Sequence, residues 1–183
     1  MPWRGWRACL AKPLGEPSPR PSRLPSPGGR GCPTDEQRNA VFSYPIRVYW
    51  EDTDAGGIVF YANYLKFFER SRTEWLRSMG IEQQRLRLET GGMFIVAETT
   101  LRYLRPARLD DELFVTATIV EAGQASLIID QKALLKSELP APVAYRPAAD
   151  LLCEGRVRIG WVDAATLQPM RLPAWLRERF QSA

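Results

Sequence analysis

Glu51-Asp52-Thr53-Asp54-Ala55-Gly56-Gly57-Ile58-Val59-Phe60-Tyr61-Ala62-Asn63-Tyr64 is the stretch on which the fold turns. The residues before it alternate. Over Ser43–Trp50, Ile46, Val48 and Trp50 face one way and Arg47 and Tyr49 the other, which predicts a strand. After it the period lengthens. From about Tyr61, the residues Tyr61, Tyr64, Leu65, Phe68, Trp75, Leu76 and Met79 share one helical face, while Lys66, Glu69, Arg70, Glu74 and Arg77 lie largely off it. Gly80 suits the residue just past the helix end. Asp52–Gly57 is therefore a tight turn between a strand and a helix of about five turns, with Gly56 and Gly57 to let the backbone reverse.

Four further strand patterns follow at Met93–Leu104, Leu113–Glu121, Ala125–Lys136 and Leu151–Val162. Pro106–Glu112 and the turn at Glu121–Gln124 suit hairpin connections. Ser137–Asp150 is a longer, Pro- and Ala-rich connection and reads as an exposed insertion. Pro173 can open a last short helix through Phe180. The order β-α-β-β-β-β with a C-terminal helix predicts an α+β layer fold, one long helix against an antiparallel sheet.

Residues 1–40 differ in kind. They hold eight of the fifteen prolines and five of the thirteen glycines, with no period of either type. Such a stretch buries too little apolar surface to offset its ordering entropy and is expected to be disordered. Its composition equally fits a gene start placed too early, with Val41 as a candidate start. The domain is then 41–183, long enough for a core without staples.

Charge follows the same division. The net +4 arises in the tail, which has seven Lys/Arg and three Asp/Glu; residues 41–183 carry eighteen of each. The body thus offers no basic surplus for nucleic acid, and residues 1–40 have no helical period for a helix-turn-helix segment. No apolar run approaches the roughly 20 residues of a membrane helix. Cys9, Cys32 and Cys153 have no metal or CxxC spacing and read as free thiols in a reducing, cytoplasmic setting.

The chain has no histidine. That excludes Ser-His-Asp and Cys-His hydrolysis and His-ligated metals, and leaves carboxylates, hydroxyls, amines and backbone dipoles. The Asp-x-Asp loop is not a calcium loop, since Gly56 stands at its fifth position and Asn63 where a bidentate Glu is needed. No phosphate-binding glycine motif is present. Asp110-Asp111-Glu112 reads as a solvated turn, and Arg102, Arg105 and Arg108 as a charged strand edge. Two readings remain for Asp52 and Asp54. They cap the helix start, or one of them works on a carbonyl whose oxyanion sits at the helix N-terminus.

The run from Arg47 to Glu74, with Tyr103-x-x-Pro106-Ala107-Arg108-x-Asp110-Asp111 and Ser126-Leu127 after it, resembles the 4-hydroxybenzoyl-CoA thioesterase-type hotdog family. It is most similar to the Tol-Pal-cluster acyl-CoA thioesterases of YbgC type. The resemblance covers roughly 42–135 and, more loosely, 151–180. It implies a hotdog fold, in which a five-stranded antiparallel sheet wraps the long helix. It implies a homodimer or homotetramer with sites at the subunit interface, and hydrolysis of acyl-CoA without a cofactor or metal. Asp54 falls at the family's catalytic carboxylate, and Tyr61 where a backbone N–H polarises the thioester carbonyl. Gly56 and Gly57 shape the loop, and Glu69 falls where an acidic residue faces the acyl group. Carboxylates as a class are ionised at neutral pH and can serve as nucleophile or general base, and a thiolate leaves readily.

The chain departs from that pattern in three places. Tyr61 stands where relatives usually carry His, which spares a backbone role. The turn Glu121–Ser126 lacks the basic residues that relatives use for CoA phosphates, leaving Lys132, Arg156 or Arg158 as substitutes and acyl carrier protein as an alternative carrier. The insertion at Ser137–Asp150 is longer than the family's hairpin. A hotdog module that binds acyl-CoA or acyl carrier protein without turnover is the competing reading.

Overall fold

A computed structural model describes residues 42–136 and 150–181 of the chain. The expectations for residues 1–40, for Cys9 and Cys32, and for the body of the 137–150 connection lie outside the described residues.

Strand β1 spans Phe42–Arg47 and ends earlier than its alternation suggests. The chain then winds into a single 3-10 turn over Trp50–Asp52. This turns Trp50 out of the strand's inner face, where it was expected, and leaves it 79% exposed, whereas Ile46 and Val48 are buried. Helix α1 covers Asn63–Ser78, starting two residues later than its apolar period. Gly80 takes a left-handed conformation (φ +75°) just past its end, as expected.

The buried side of α1 is Asn63, Tyr64, Phe67, Phe68, Ser71, Trp75 and Leu76. Tyr61 and Leu65, assigned to the apolar face from the sequence, are exposed instead, and Phe67 takes their place in the core. For Tyr61 the reason is the later start: it precedes the first helical turn and does not share its rotation. Helix α2, Gln83–Thr90, was not foreseen. Only its Leu86 is buried, so it has no apolar stripe to detect. Its residues are good helix formers, and Gly91 (φ +69°) closes it.

Strands β2 (Gly92–Tyr103), β3 (Glu112–Ala122), β4 (Ser126–Leu135) and β5 (Leu151–Asp163) follow, then helix α3 (Ala174–Gln181). They lie within one or two residues of their predicted limits. The five strands form one antiparallel sheet in the order β1-β3-β4-β5-β2. Helix α1 packs on β1, β3 and β4. Two buried polar side chains fasten it there. Ser71 Oγ donates to Val115 O (2.8 Å), and Gln131 Nε2 donates to Phe68 O (3.0 Å). Gln131 Oε1 in turn accepts from Arg72 Nη1 (2.6 Å), so a polar group under the helix is satisfied on both sides. Trp75, Trp161, Leu176 and Phe180 build a second core region beneath α3. The outer face of the sheet is mixed: Arg156 is forked onto Asp130 and Arg102 is paired with Glu154, while Phe114 and Val120 stand exposed beside them.

Candidate active site

The two aspartates of the loop have separate fates. Asp52 is buried, and its Oδ2 accepts the Tyr49 N–H (3.0 Å), closing the 3-10 turn. Asp54 is exposed. Its Oδ1 accepts the Gly56 N–H at 2.8 Å, its own N–H donates to Ile58 O (2.9 Å), and its carbonyl accepts from Gly57 N (3.0 Å). Neither carboxylate caps α1, so the capping reading of this pair does not hold. Asp54 Oδ2 meets no donor among the described residues. The carboxylate is thus clamped by one oxygen and presents the other.

The glycines are needed for this turn. Gly57 has φ +71°, a conformation that L side chains rarely adopt. A Cβ on Gly56 would stand 3.1 Å from Asp54 Oδ1, beside the hydrogen bond that clamps it. The loop is pinned at both ends, by the bridges Thr53–Val59 and Ile58–Arg108 and by Val59 N donating to Ala107 O (2.9 Å).

The start of α1 is bare. Its N-cap is Ala62, which has no side chain to satisfy the first amides, and no acidic residue lies in the first turn. Among the described residues, no protein group accepts the N–H of Tyr61 or Ala62. Such amides, with the positive end of the helix dipole behind them, suit a developing negative charge. The Tyr61 ring itself is 62% exposed. Tyr103 Oη donates to the Tyr61 carbonyl (3.1 Å), and the two rings meet edge to face at 6.3 Å. Tyr64 is buried behind them, its hydroxyl accepting the Ala107 N–H (3.0 Å), and burial pushes its phenol pKa up. The aromatic stripe expected to be core is therefore split: Tyr64, Phe68 and Trp75 are interior, while Tyr61 faces solvent beside the loop.

One buried carbonyl links loop and helix. Asp52 O accepts both the Phe60 N–H (2.9 Å) and the Asn63 side-chain amide (2.9 Å). Asn63 and Tyr103 are the site residues that sequence reasoning missed. Asn63 had a signal, a polar residue on the helix's apolar side; Tyr103 had none beyond its place in the resemblance.

Glu69 lies roughly 9 Å beyond Asn63 along the helix axis and is exposed. Its Oε1 accepts from Thr73 Oγ1 (2.7 Å), and no contact joins it to Asp54. Lys132, Arg156 and Arg158, considered for the CoA phosphates, alternate with the buried Gln131, Ala133, Val157 and Ile159. They therefore point from the sheet face opposite α1, and Arg156 is already engaged by Asp130. The three do not gather at the helix start. Arg108 donates its backbone N–H to Asp111 Oδ2 (2.7 Å). Glu112 binds both Arg47 and Lys136, so the acidic turn is bonded as well as solvated. Cys153 is a free, buried thiol. Among the described residues no helix is long and apolar enough to cross a membrane.

Known proteins share the sequence and the fold of this chain. Residues 48–180 match the model of the thioesterase-like superfamily. The sequence is 37% identical over 139 residues to the acyl-CoA thioesterase YbgC of Haemophilus influenzae, covering 76% of this chain and 93% of that protein. It is 38% identical over 141 residues to the acyl-CoA thioester hydrolase YbgC of Escherichia coli, covering 77% and 96%. The structure superposes on a probable thioesterase from Bartonella henselae with a TM-score of 0.64 at 29% identity, covering 73% of this chain and all of that one. It also shares its fold with a 1,4-dihydroxy-2-naphthoyl-CoA thioesterase from Synechocystis (TM-score 0.67, 20% identity, 78% and 96% covered). With its five-stranded antiparallel sheet packed against α1 and its matching sequence, the chain belongs to the thioesterase-like superfamily and has the hotdog fold.

Proposed function

We propose that this chain is an acyl-CoA thioesterase, releasing a free acid and CoA, with Asp54 as its catalytic carboxylate. The observation that carries the reading is the pairing of a clamped, solvent-facing Asp54 with uncapped amides at the start of the helix that follows. The thioester carbonyl oxygen is received by the Tyr61 N–H, where negative charge is stabilised as it develops. Two routes fit the free Asp54 Oδ2. It attacks the carbonyl carbon, the C–S bond breaks, the thiolate takes a proton from solvent, and water then hydrolyses the mixed anhydride. Alternatively it takes a proton from a water molecule that attacks directly, and returns that proton to the departing thiolate. Both need no metal or prosthetic group.

Gly56 and Gly57 are assigned to the substrate-binding turn, and Glu69 to the side of the acyl group. The assembly proposed is a homodimer or homotetramer with the site completed at a subunit interface. Edge strand β2 supports it: it is twelve residues long and leaves Ile95 and Val96 exposed, a row of unpaired backbone groups that a second strand can join. A reducing, cytoplasmic setting fits the free Cys153.

The test is thiol release from short, long and aromatic acyl-CoAs by the wild type and Asp54→Asn. Asparagine keeps an oxygen for the Gly56 N–H but loses the charge, so turnover is expected to fall by about 10²–10⁴ with the fold intact. Near-normal turnover in a folded variant refutes the role of Asp54. The far-side placement of Lys132, Arg156 and Arg158 favours one second reading, in which acyl carrier protein is the carrier. Turnover of acyl carrier protein thioesters but of no CoA ester would establish it.

A further inference from the structure

We infer that Asn63 is a positioning residue, which holds the Asp54 turn and the Tyr61 amide in one fixed relation; this rests on the thioesterase reading above. Asn63 is bonded through both its side chain and its backbone. It is 7% exposed, at the first turn of α1. Its side-chain Nδ2 donates to Asp52 O at 2.9 Å, and its backbone N–H donates to Phe60 O at 2.8 Å. The two acceptors belong to the two halves of the site. Asp52 stands two residues before Asp54, at the entry to the turn. Phe60 O is the carbonyl of the peptide unit whose N–H belongs to Tyr61.

Each bond has a consequence. A carbonyl that accepts a hydrogen bond polarises its own peptide unit, so Asn63 N–H makes the Tyr61 N–H a stronger donor as well as fixing its plane. The side-chain bond settles orientation. Without it, loop and helix start are joined at this carbonyl by Phe60 N to Asp52 O (2.9 Å) alone, and one hydrogen bond permits rotation about itself. With Asn63 the same carbonyl is held by two donors from one turn of chain, which fixes the angle between the arms. A carboxylate oxygen and an oxyanion donor must address one carbonyl group from two directions. A misplacement of about 1 Å costs up to 10²-fold in such an arrangement.

Two variants separate positioning from structure. Asn63→Leu keeps the number and branching of the side-chain heavy atoms and leaves Asp52 O its bond from Phe60. Asn63→Asp keeps the shape but sets an acceptor against the Asp52 carbonyl. In each, kcat is expected to fall about 10–100-fold while KM stays within about threefold. Hydrogen exchange is measured alongside. The Phe60 amide is expected to exchange about tenfold faster or more, since the second bond no longer holds its acceptor, with the amides of Phe67–Ser71 unchanged. Retained kcat in a folded variant overturns the inference. So does unchanged exchange at Phe60, or a rise spread evenly along α1, which would mark a purely structural role. A wild type that hydrolyses no acyl thioester overturns the thioesterase reading instead, and the exchange measurement still decides whether Asn63 holds the turn.

Discussion

Gly155→Ala is a substitution whose cost the structure defines at the contact between α1 and the sheet. Gly155 lies in β5, paired with Leu101 of β2 on one side and Gln131 of β4 on the other. A Cβ there would stand 2.6 Å from Leu101 Cδ2 and 2.7 Å from Phe68 Cε2. Carbon atoms pack best at about 3.5–4.0 Å, so both contacts are roughly 1 Å too close. Leu101 is only half-buried and can turn aside. Phe68 is fully buried in α1 and cannot, so the helix must move off the sheet. Overpacking of this kind costs about 1–3 kcal/mol, and for a domain of this size each kcal/mol lowers Tm by roughly 2–4 °C. A fall of about 2–12 °C is therefore expected. The diagnostic is a double-mutant cycle with Phe68→Leu, which withdraws the ring edge that the new methyl meets. The double variant should be more stable than the two single losses predict by about 1 kcal/mol or more. An unchanged Tm for Gly155→Ala, or strict additivity, refutes the claim that this glycine sets the distance between α1 and the sheet. Because the Tyr61 and Ala62 amides lead directly into that helix, turnover should fall with it.

Two further outcomes follow from titrating groups. Burial pushes the Cys153 thiol up to about 12, so thiol reagents at pH 8 should leave Cys153 unmodified in the native protein and label it on unfolding; fast native labelling contradicts the packing described. Asp130, Asp163 and Glu112 are held below the usual carboxylate range by hydrogen bonds from Arg156, from the Thr166 backbone and from Lys136. A depressed folded pKa stabilises the fold above the ordinary carboxylate value of about 4 and is lost as pH falls through the folded value. Tm should thus drop below about pH 4, and less steeply in a variant carrying Asp130→Asn and Asp163→Asn; an equal slope contradicts the assignment.

Much of the site was legible before its structure. The change of period around Asp52–Gly57 placed a turn between strand and helix, and glycine is what a left-handed position such as Gly57 requires. Residue pattern alone did not separate the two aspartates, and only the resemblance singled out Asp54, because side chains two apart in a turn have no fixed periodicity. Burial separates them, Asp52 inward and Asp54 outward. Tyr61 was placed on the core face because periodicity carries no mark of where a helix begins. Helix α2 escaped notice because propensity without an apolar stripe leaves no pattern. The side of the sheet that carries the candidate CoA cations was not legible for a related reason. Alternation along β4 and β5 puts Lys132, Arg156 and Arg158 on one face of the sheet, but not on a known side of α1.

The sequence offered Pro106–Glu112 as a hairpin, but β2 pairs with β5 and not with β3, so that segment is a crossover. By itself, then, the sequence determined the five strands, the first and last helices, the β3–β4 hairpin, the absence of histidine and the turn that carries Asp54. These are local properties, written in backbone preference and hydrophobic period. Tertiary structure decided which aspartate faces solvent, which tyrosine is core, and which side chain ties the loop to the helix. Those depend on contacts between residues far apart in the chain, such as Phe68 on Gly155, Tyr103 on Tyr61 and Val59 on Ala107, where packing and hydrogen-bond satisfaction override local pattern.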